Sequence, residues 1–355
     1  MFAVLLVGAI IALVNSIPYS VRTIYVYSRE MLGIGPRGDP NGTQIILDKV
    51  KKESPVHLDR TMLCRATSTQ VNSIVGPWPF VVLGLGQDDM RYYLQRQGVK
   101  GIEGRIPRAG EPEALISQPV ALNLNLKIGS NLQGPEVENS YSPKNVKVVG
   151  IADTPRWIML NTIEYQRVNH FPPIDLGLIF ADNLKDQNVL DHWAEKRFKG
   201  KRTQVFAFFQ VDRTTDKMFN TLYQILNVVI GMMVLVITFM MGMLINIYQT
   251  QRLVEFGLLQ AIGYTRKRLF RRTLQESVVV VITGWVLGSA LAFGILNLVK
   301  KFVMDPHSYA INTLDPTAFL YTVPIPFAIL LVAFGTVVIR FRQFDPVSIV
   351  ERRLV

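Results

Sequence analysis

The hydrophobic pattern divides the chain into four long apolar runs and one long mixed block. Met1 to Val21 (MFAVLLVGAIIALVNSIPYSV) carries no ionisable side chain and has about the 20 residues that a bilayer-spanning helix needs. A cleaved signal peptide is the competing reading, because the most apolar part is only Phe2 to Val14. The basic n-region is missing and no small-x-small cleavage site follows, so a membrane anchor is the expectation. The abrupt apolar start predicts that a basic lead-in is missing or unusually short. Three further runs, Ile225 to Ile247, Ser277 to Leu298 and Phe319 to Ile339, are each long enough to span. Pro324 and Pro326 fall at the start of the last one, where a first helical turn tolerates proline.

Between the first and second runs the period shortens. From Tyr27 to about Phe209, stretches such as TQIIL, FVVLGL, EALIS, VKVVGI, LGLIF and VFAFFQV read as strands punctuated by Gly and Pro. Helical pieces are expected near Met90 to Gln97 and Asn188 to Phe198. Gly76-Pro77-Trp78-Pro79 and Phe171-Pro172-Pro173 read as rigid turns. Met218, Leu222 and Ile225 recur at helix spacing, so Thr214 to Asn227 reads as a helix feeding into the second apolar run.

The expected organisation is a first span over 1–26, an α+β domain over 27–213, a stalk and second span over 214–247, and a polar segment over 248–276. A third span over 277–298, a loop over 299–318, a fourth span over 319–339 and a tail over 340–355 follow. The fold class is thus a multi-pass α-helical membrane protein, one transmembrane helix before and three after a large α+β domain.

Composition agrees with a membrane protein. The 355 residues are 49% hydrophobic and 18% charged, with a mean hydropathy of +0.24. A net charge of +11 would suit a nucleic-acid binder, so the placement of the cations decides. The 27–220 block is nearly balanced, and the loop from Lys300 to Ala318 is neutral. The excess sits in the 248–276 segment, with Arg252, Arg266, Lys267, Arg268, Arg271 and Arg272 against Glu255 and Glu276, and in the tail, with Arg340, Arg342, Arg352 and Arg353. Basic charge beside some spans and not others is the positive-inside pattern and not a nucleic-acid footprint. It places the segment and both termini in the cytoplasm, and the α+β domain outside.

Several chemistries lack their residues. There is no G-x-x-x-x-G-K-[ST] run to cradle phosphates, so any ATP use belongs to a partner. His57, His170, His192 and His307 stand singly, without metal-ligand spacing, and no G-x-S-x-G elbow occurs. Cys64 is the only cysteine and reads as a small buried apolar residue. No Asp, Glu, Lys or Arg interrupts the three C-terminal runs, which argues against an ion or proton pathway through them.

In the 248–276 segment, Leu253, Phe256 and Leu259 form an apolar stripe at helix spacing. Gly263 can stop that helix with a positive φ, and Thr265 can cap the next one. The basic start of the second helix, Arg266-Lys267-Arg268, runs against the helix dipole, which suits phospholipid headgroups or an acidic partner. Such a stripe ending in a glycine turn is what a partner groove would receive. In the third span Gly284-x-x-x-Gly288 gives a face where another helix can pack closely.

These residues carry a resemblance. Glu255-Phe256-Gly257-Leu258-Leu259-Gln260-Ala261-Ile262-Gly263-Tyr264, with Glu276 closing the segment, resembles the coupling region of the FtsX/MacB-type ABC transporter permeases, with Gln260 where a basic residue is usual. Glu103 to Pro107, Gly110 to Ile116, Leu124 to Ser130 and Val148 to Ile151 are similar to that family's extracytoplasmic core domain. The tail Asp345-Pro346-Val347-Ser348-Ile349-Val350 resembles its closing motif.

The resemblance implies a permease subunit in a bacterial cell membrane, paired with a second permease copy or a homologous permease and with separate ABC ATPase subunits that hold ATP and Mg. The chain itself would carry no catalytic residue, cofactor or metal. Leu253, Glu255, Phe256, Gly257, Leu259, Ala261, Gly263 and Glu276 would couple to the ATPase, with Phe256, Leu259 and Gly263 docking. Thr214 to Asn227 would form part of a stalk, and Arg105 to Ile151 would belong to the moving domain. A periplasmic adaptor would join where export needs one. The alternative within the family is a transducer that controls a cell-wall hydrolase or senses peptides without transport. A membrane-anchored enzyme is a third reading, which would need activity in the 27–220 fragment.

Overall fold

The computed structural model describes residues 1–37, 42–137, 140–169, 175–198 and 202–343, without the side chains of 253, 254 and 340–343. His170, Phe171-Pro172-Pro173 and the Asp345 to Val350 motif therefore lie outside the described residues.

In chain order the elements are α1 (Phe2–Ile24), a 3-10 turn (Val26–Glu30), β1 (Leu32–Pro36), α2 (Thr43–Glu53), β2 (Leu58–Ser73), β3 (Gly76–Leu85), α3 (Gln87–Arg96), β4 (Ile102–Gly104) and β5 (Glu113–Ser117). Then come α4 (Gln118–Asn123), β6 (Asn131–Gln133), β7 (Val146–Ala152), β8 (Met159–Thr162), α5 (Ile163–Val168), β9 (Asp175–Ala181), α6 (Leu184–Phe198) and β10 (Thr203–Phe206). The chain continues with α7 (Phe208–Gln251), α8 (Leu253–Ala261), α9 (Arg266–Val299), α10 (Pro316–Leu320) and α11 (Pro324–Gln343).

The chain forms two units. One, Ser16–Phe219 with Lys301–Ile311, is an α+β unit built on one sheet of order β10-β1-β9-β2-β3-β8-β5-β7-β4, with β6 added on β7. Most pairings are antiparallel; β3 with β8 and β5 with β7 are parallel. Successive residues of a strand point to opposite faces. In β9, Leu178 and Phe180 accordingly enter a core with Cys64, Val82, Leu115 and Tyr93, while Ile179 and Ala181 enter a second core. That second core is closed by Leu47 and Val50 of α2 and by Leu190, Ala194 and Phe198 of α6. Burial of the Cys64 thiol raises its pKa, as a small core residue requires.

Three local readings are corrected. TQIIL is the start of α2 and not a strand: Thr43, Leu47 and Val50 are buried at spacings of four and three, so an amphipathic helix overrides β-branched propensity. Gly76-Pro77-Trp78-Pro79 is strand, paired with Ser73 to Gln70 of β2. Proline is tolerated there because β8 pairs only with Leu83 to Leu85, leaving this end of β3 as an edge. VFAFFQV contains a boundary, since β10 ends at Phe206 and α7 begins at Phe208, before the expected helical start at Thr214.

The pieces expected to form the core domain meet through side chains as well as strands. Arg105 and Glu113 form a bidentate ion pair, Nη1 to Oε2 at 2.5 Å, and the Arg108 amide also donates to Glu113 at 2.9 Å. Hydrogen bonding from Arg105 holds the Glu113 carboxyl below its usual range. Gly104 pairs with Gly150, and a Cβ on Gly104 would lie 2.4 Å from the Val149 carbonyl oxygen.

The other unit comprises Met1–Asn15, Asn220–Lys300 and the chain from Asn312 onward. Four helical stretches, Phe2–Ile24, Phe208–Gln251, Arg266–His307 and Pro316–Ile339, are long and apolar enough to cross a membrane. The last is not one straight helix: α10 ends at Leu320 and α11 starts at Pro324, because proline lacks an amide proton and restricts the residue before it. Asp315 caps α10 through the Thr317 amide at 2.9 Å and accepts from Asn15 of α1 at 2.5 Å. Trp285 of α9 donates to Thr322 at 3.1 Å, and Phe270 meets Phe334 edge-on.

Candidate functional site at the α8 turn

The segment between the second and third apolar stretches folds as helix, turn and helix. Backbone bonds that close α8 run from Tyr264 N to Leu259 O at 3.0 Å and from Gly263 N to Gln260 O at 2.9 Å. This is the Schellman pattern, in which the residue after the helix cap must be left-handed. Gly263 supplies that conformation with φ +103°. Thr265 then takes the extended N-cap conformation before α9, although its side chain makes no capping bond. The Thr265 carbonyl accepts from Arg268 and Leu269, starting the helix through its backbone.

Arg252 sits at the junction of α7 and α8 and organises the segment. Its Nε donates to Glu255 at 3.0 Å, and its Nη1 donates to Glu276 at 2.7 Å and to the Tyr248 hydroxyl at 3.2 Å. The guanidinium also lies 5.3 Å from the Tyr248 ring centroid and 5.5 Å from that of Phe256. Hydrogen bonds to Glu276 first and Glu255 second raise the Arg252 pKa further above its already high value. Arg272 adds a bond to Glu276 at 3.3 Å, one turn along α9. The start and end of the segment are thus tied through one cation.

The predicted coupling residues separate into two sets. Phe256 is 5% exposed and turned inward, and Leu259 is partly covered. Leu258 and Ile262, four residues apart, are 61% and 76% exposed. The outward apolar face of α8 is therefore theirs, continued by exposed Ala261 and Gly263. The side chain of Leu253 lies outside the described residues. Gly257 is buried, yet a Cβ there would meet none of the described residues within 4 Å. Gln260 holds a buried Nε2 without a partner among the described residues, at the position where the resemblance expects a cation. Gly284 and Gly288 face the start of α1: a Cβ on Gly288 would lie 2.5 Å from the Met1 carbonyl oxygen and 3.1 Å from Val4 Cβ.

Sequence reasoning missed Arg252 as a connecting residue and counted it only as charge. The signal was present in its spacing, with Tyr248 four residues before it and Glu255 three after.

Residues 227–346 match the family of the FtsX-like permease C-terminal domain, a stretch that holds most of α7 and all of α8 to α11. This part of the chain is similar to FtsX-like permease C-terminal domains. Four stretches of the chain are long and apolar enough to cross a membrane. No curated protein matches it significantly. Among solved structures, the periplasmic region of MacB from Actinobacillus actinomycetemcomitans is similar at 10% identity and a TM-score of 0.31, covering 53% of this chain and 94% of that one. The extracellular domain of the ABC-type transporter YknZ from Gram-positive bacteria has 10% identity and a TM-score of 0.26, over 50% of this chain and 99% of that one. A domain of a putative permease protein from Porphyromonas gingivalis has 12% identity and a TM-score of 0.25, over 51% and 88%. Likenesses of this size carry no functional inference.

Proposed function

We propose that the chain is the permease subunit of an ABC transporter and that it relays ATP-driven movement of a separate ATPase to its α+β unit, driving extrusion of a substrate. The observation that carries this reading is the α8 turn within an FtsX-like permease C-terminal domain, placed between two apolar helices and stiffened by Arg252. A turn that must move as one body needs its ends joined, and the Arg252 bonds to Glu255 and Glu276 join them.

In this reading the spans are arranged one plus three, with the α+β unit outside the cell and the 248–276 segment and both termini in the cytoplasm. The basic residues of the segment support that sidedness. Leu258, Ile262 and Gly263 form the contact for the ATPase, and Phe256 anchors α8 from inside. ATP and Mg belong to the partner. The long apolar flank of α7, with Ile225, Met232, Phe239 and Met243 all more than half exposed, is left for lipid and for a second permease copy.

The test is co-expression with an ABC ATPase and purification through a tag on the permease. Leu258→Asp and Ile262→Asp are expected to lose the ATPase from the purified complex while the permease still inserts. Retention of the ATPase by the double variant would overturn the docking assignment.

A further inference from the structure

We infer that the exposed face formed by Lys267, Arg268, Arg271 and Arg272 at the start of α9 binds the headgroup of an anionic phospholipid, whose acyl chain lies along Val279, Ile282 and Val286. This inference rests on the chain being a membrane protein and is independent of ATPase docking.

Residues three and four apart on a helix are neighbours, so the four cations make one ribbon. Leu269 and Thr273, both 2% exposed, mark the opposite side of the helix. All four cations are exposed. Among the described residues the acidic group bonded to this ribbon is Glu276, which accepts from Arg272 at 3.3 Å but more closely from Arg252 at 2.7 Å. Arg268 is held over the Tyr264 ring at 5.1 Å, which orients its guanidinium without neutralising it. The first turn of α9 contains no acidic residue and no side-chain cap. Cations at this positive end of a helix are unfavourable, a penalty that a bound anion reverses.

The ribbon does not end in polar surface. Following the same face by steps of three and four from Arg268 and Arg272 passes exposed Gln275 and reaches Val279, Ile282 and Val286, which are 60%, 48% and 52% exposed. Ser277, where the apolar run begins, lies five residues past Arg272, or about 8 Å along the axis. A cationic head region thus continues into an apolar strip on one helix face, which matches an anionic phospholipid. A free phosphate would use only the first part, and an acidic protein segment would have no use for the second. A topology signal requires cations near a span but no alignment of face.

The test uses the full chain in a neutral detergent, titrated with short-chain phosphatidylglycerol or phosphatidylcholine, with retained lipid counted by native mass spectrometry. Phosphatidylglycerol is expected to be retained at least about tenfold better at low salt. That preference should weaken at about 0.5 M salt, where the Debye length shrinks. The K267Q/R268Q/R271Q/R272Q variant should lose the preference, while K49Q/K51Q/K52Q on α2 should keep it. The R268K/R271K/R272K variant should also keep it, which separates loss of charge from loss of fold. Glycerol phosphate in excess should not displace the lipid. The inference is overturned if the glutamine variant keeps the preference, if the α2 variant loses it equally, or if glycerol phosphate displaces the lipid. It is also overturned if wild type shows no preference while the cations are needed to retain the ATPase, the result an acidic protein partner would give.

Discussion

Arg252 and Glu276 stand twenty-four residues apart in sequence and meet at 2.7 Å, joining the head of α8 to the flank of α9. Both side chains are partly solvated, 22% and 40% exposed, so the pair itself stabilises by only about 1 kcal/mol. Its larger consequence is positional. On the proposed coupling role, Arg252→Ala and Glu276→Gln are each expected to leave the ATPase bound but reduce ATP-dependent function, because the ends of the turn would no longer be joined. The double variant should be no worse than either single one. ATPase co-purification together with an export or signalling assay checks this; additive losses would show that the two residues act separately.

Gly263 and Gly257 serve different ends, and substitution separates them. At φ +103°, alanine at 263 is strained by about 1–3 kcal/mol, and proline is excluded altogether. Gly263→Ala should therefore lower the melting temperature of the full chain, and Gly263→Pro should abolish the turn. A Cβ at 257 meets none of the described residues within 4 Å, so Gly257→Ala should leave melting unchanged or slightly raised.

Much of this architecture was legible because spanning helices announce themselves by length. The four apolar runs and the α8 stop at Gly263 were visible in residue type and spacing, whereas Thr265 takes the N-cap position without the side-chain bond its residue type suggests. Short apolar runs were harder: TQIIL fits either period, and only the burial of Thr43, Leu47 and Val50 decides for a helix. Pro77 and Pro79 suggested a turn because the sequence does not reveal that their end of β3 is an edge. The rotation of α8 was equally hidden. Phe256 and Leu258 are both apolar, and which one faces outward depends on an arginine anchored to a glutamate on the next helix.

Gly288 and Gly294 lie on the same helix with opposite expectations. A Cβ at 288 collides with the Met1 carbonyl and crowds Val4, whereas at 294 it meets none of the described residues within 4 Å. Gly288→Val should destabilise the membrane unit by about 1–3 kcal/mol, as overpacking does, and reduce the yield of folded protein. Gly294→Ala should be neutral or mildly stabilising, since glycine in a helix interior costs about 1 kcal/mol relative to alanine. Thermal denaturation of both variants in the same detergent checks the contrast. Equal behaviour would mean that α1 does not use Gly288 as its contact.

Asp191 of α6 gives the α+β unit a pH dependence with a defined sign. Its side chain accepts from Gln187 at 3.0 Å and is 2% exposed, and burial raises its pKa to about 7 despite that hydrogen bond. An unfolded aspartate titrates near 3.9, so between those values the folded state holds a proton that the unfolded state releases. The contribution is therefore fully present below about pH 4, declines as pH rises, and is lost above about pH 7. At 1.36 kcal/mol per unit this amounts to about 4 kcal/mol at most. Asp191→Asn should remove the slope and stabilise α6 at neutral pH. Hydrogen exchange of the α6 amides between pH 5 and 8, corrected for intrinsic rates, reads this directly; an unchanged slope in the variant would place the titration on another group.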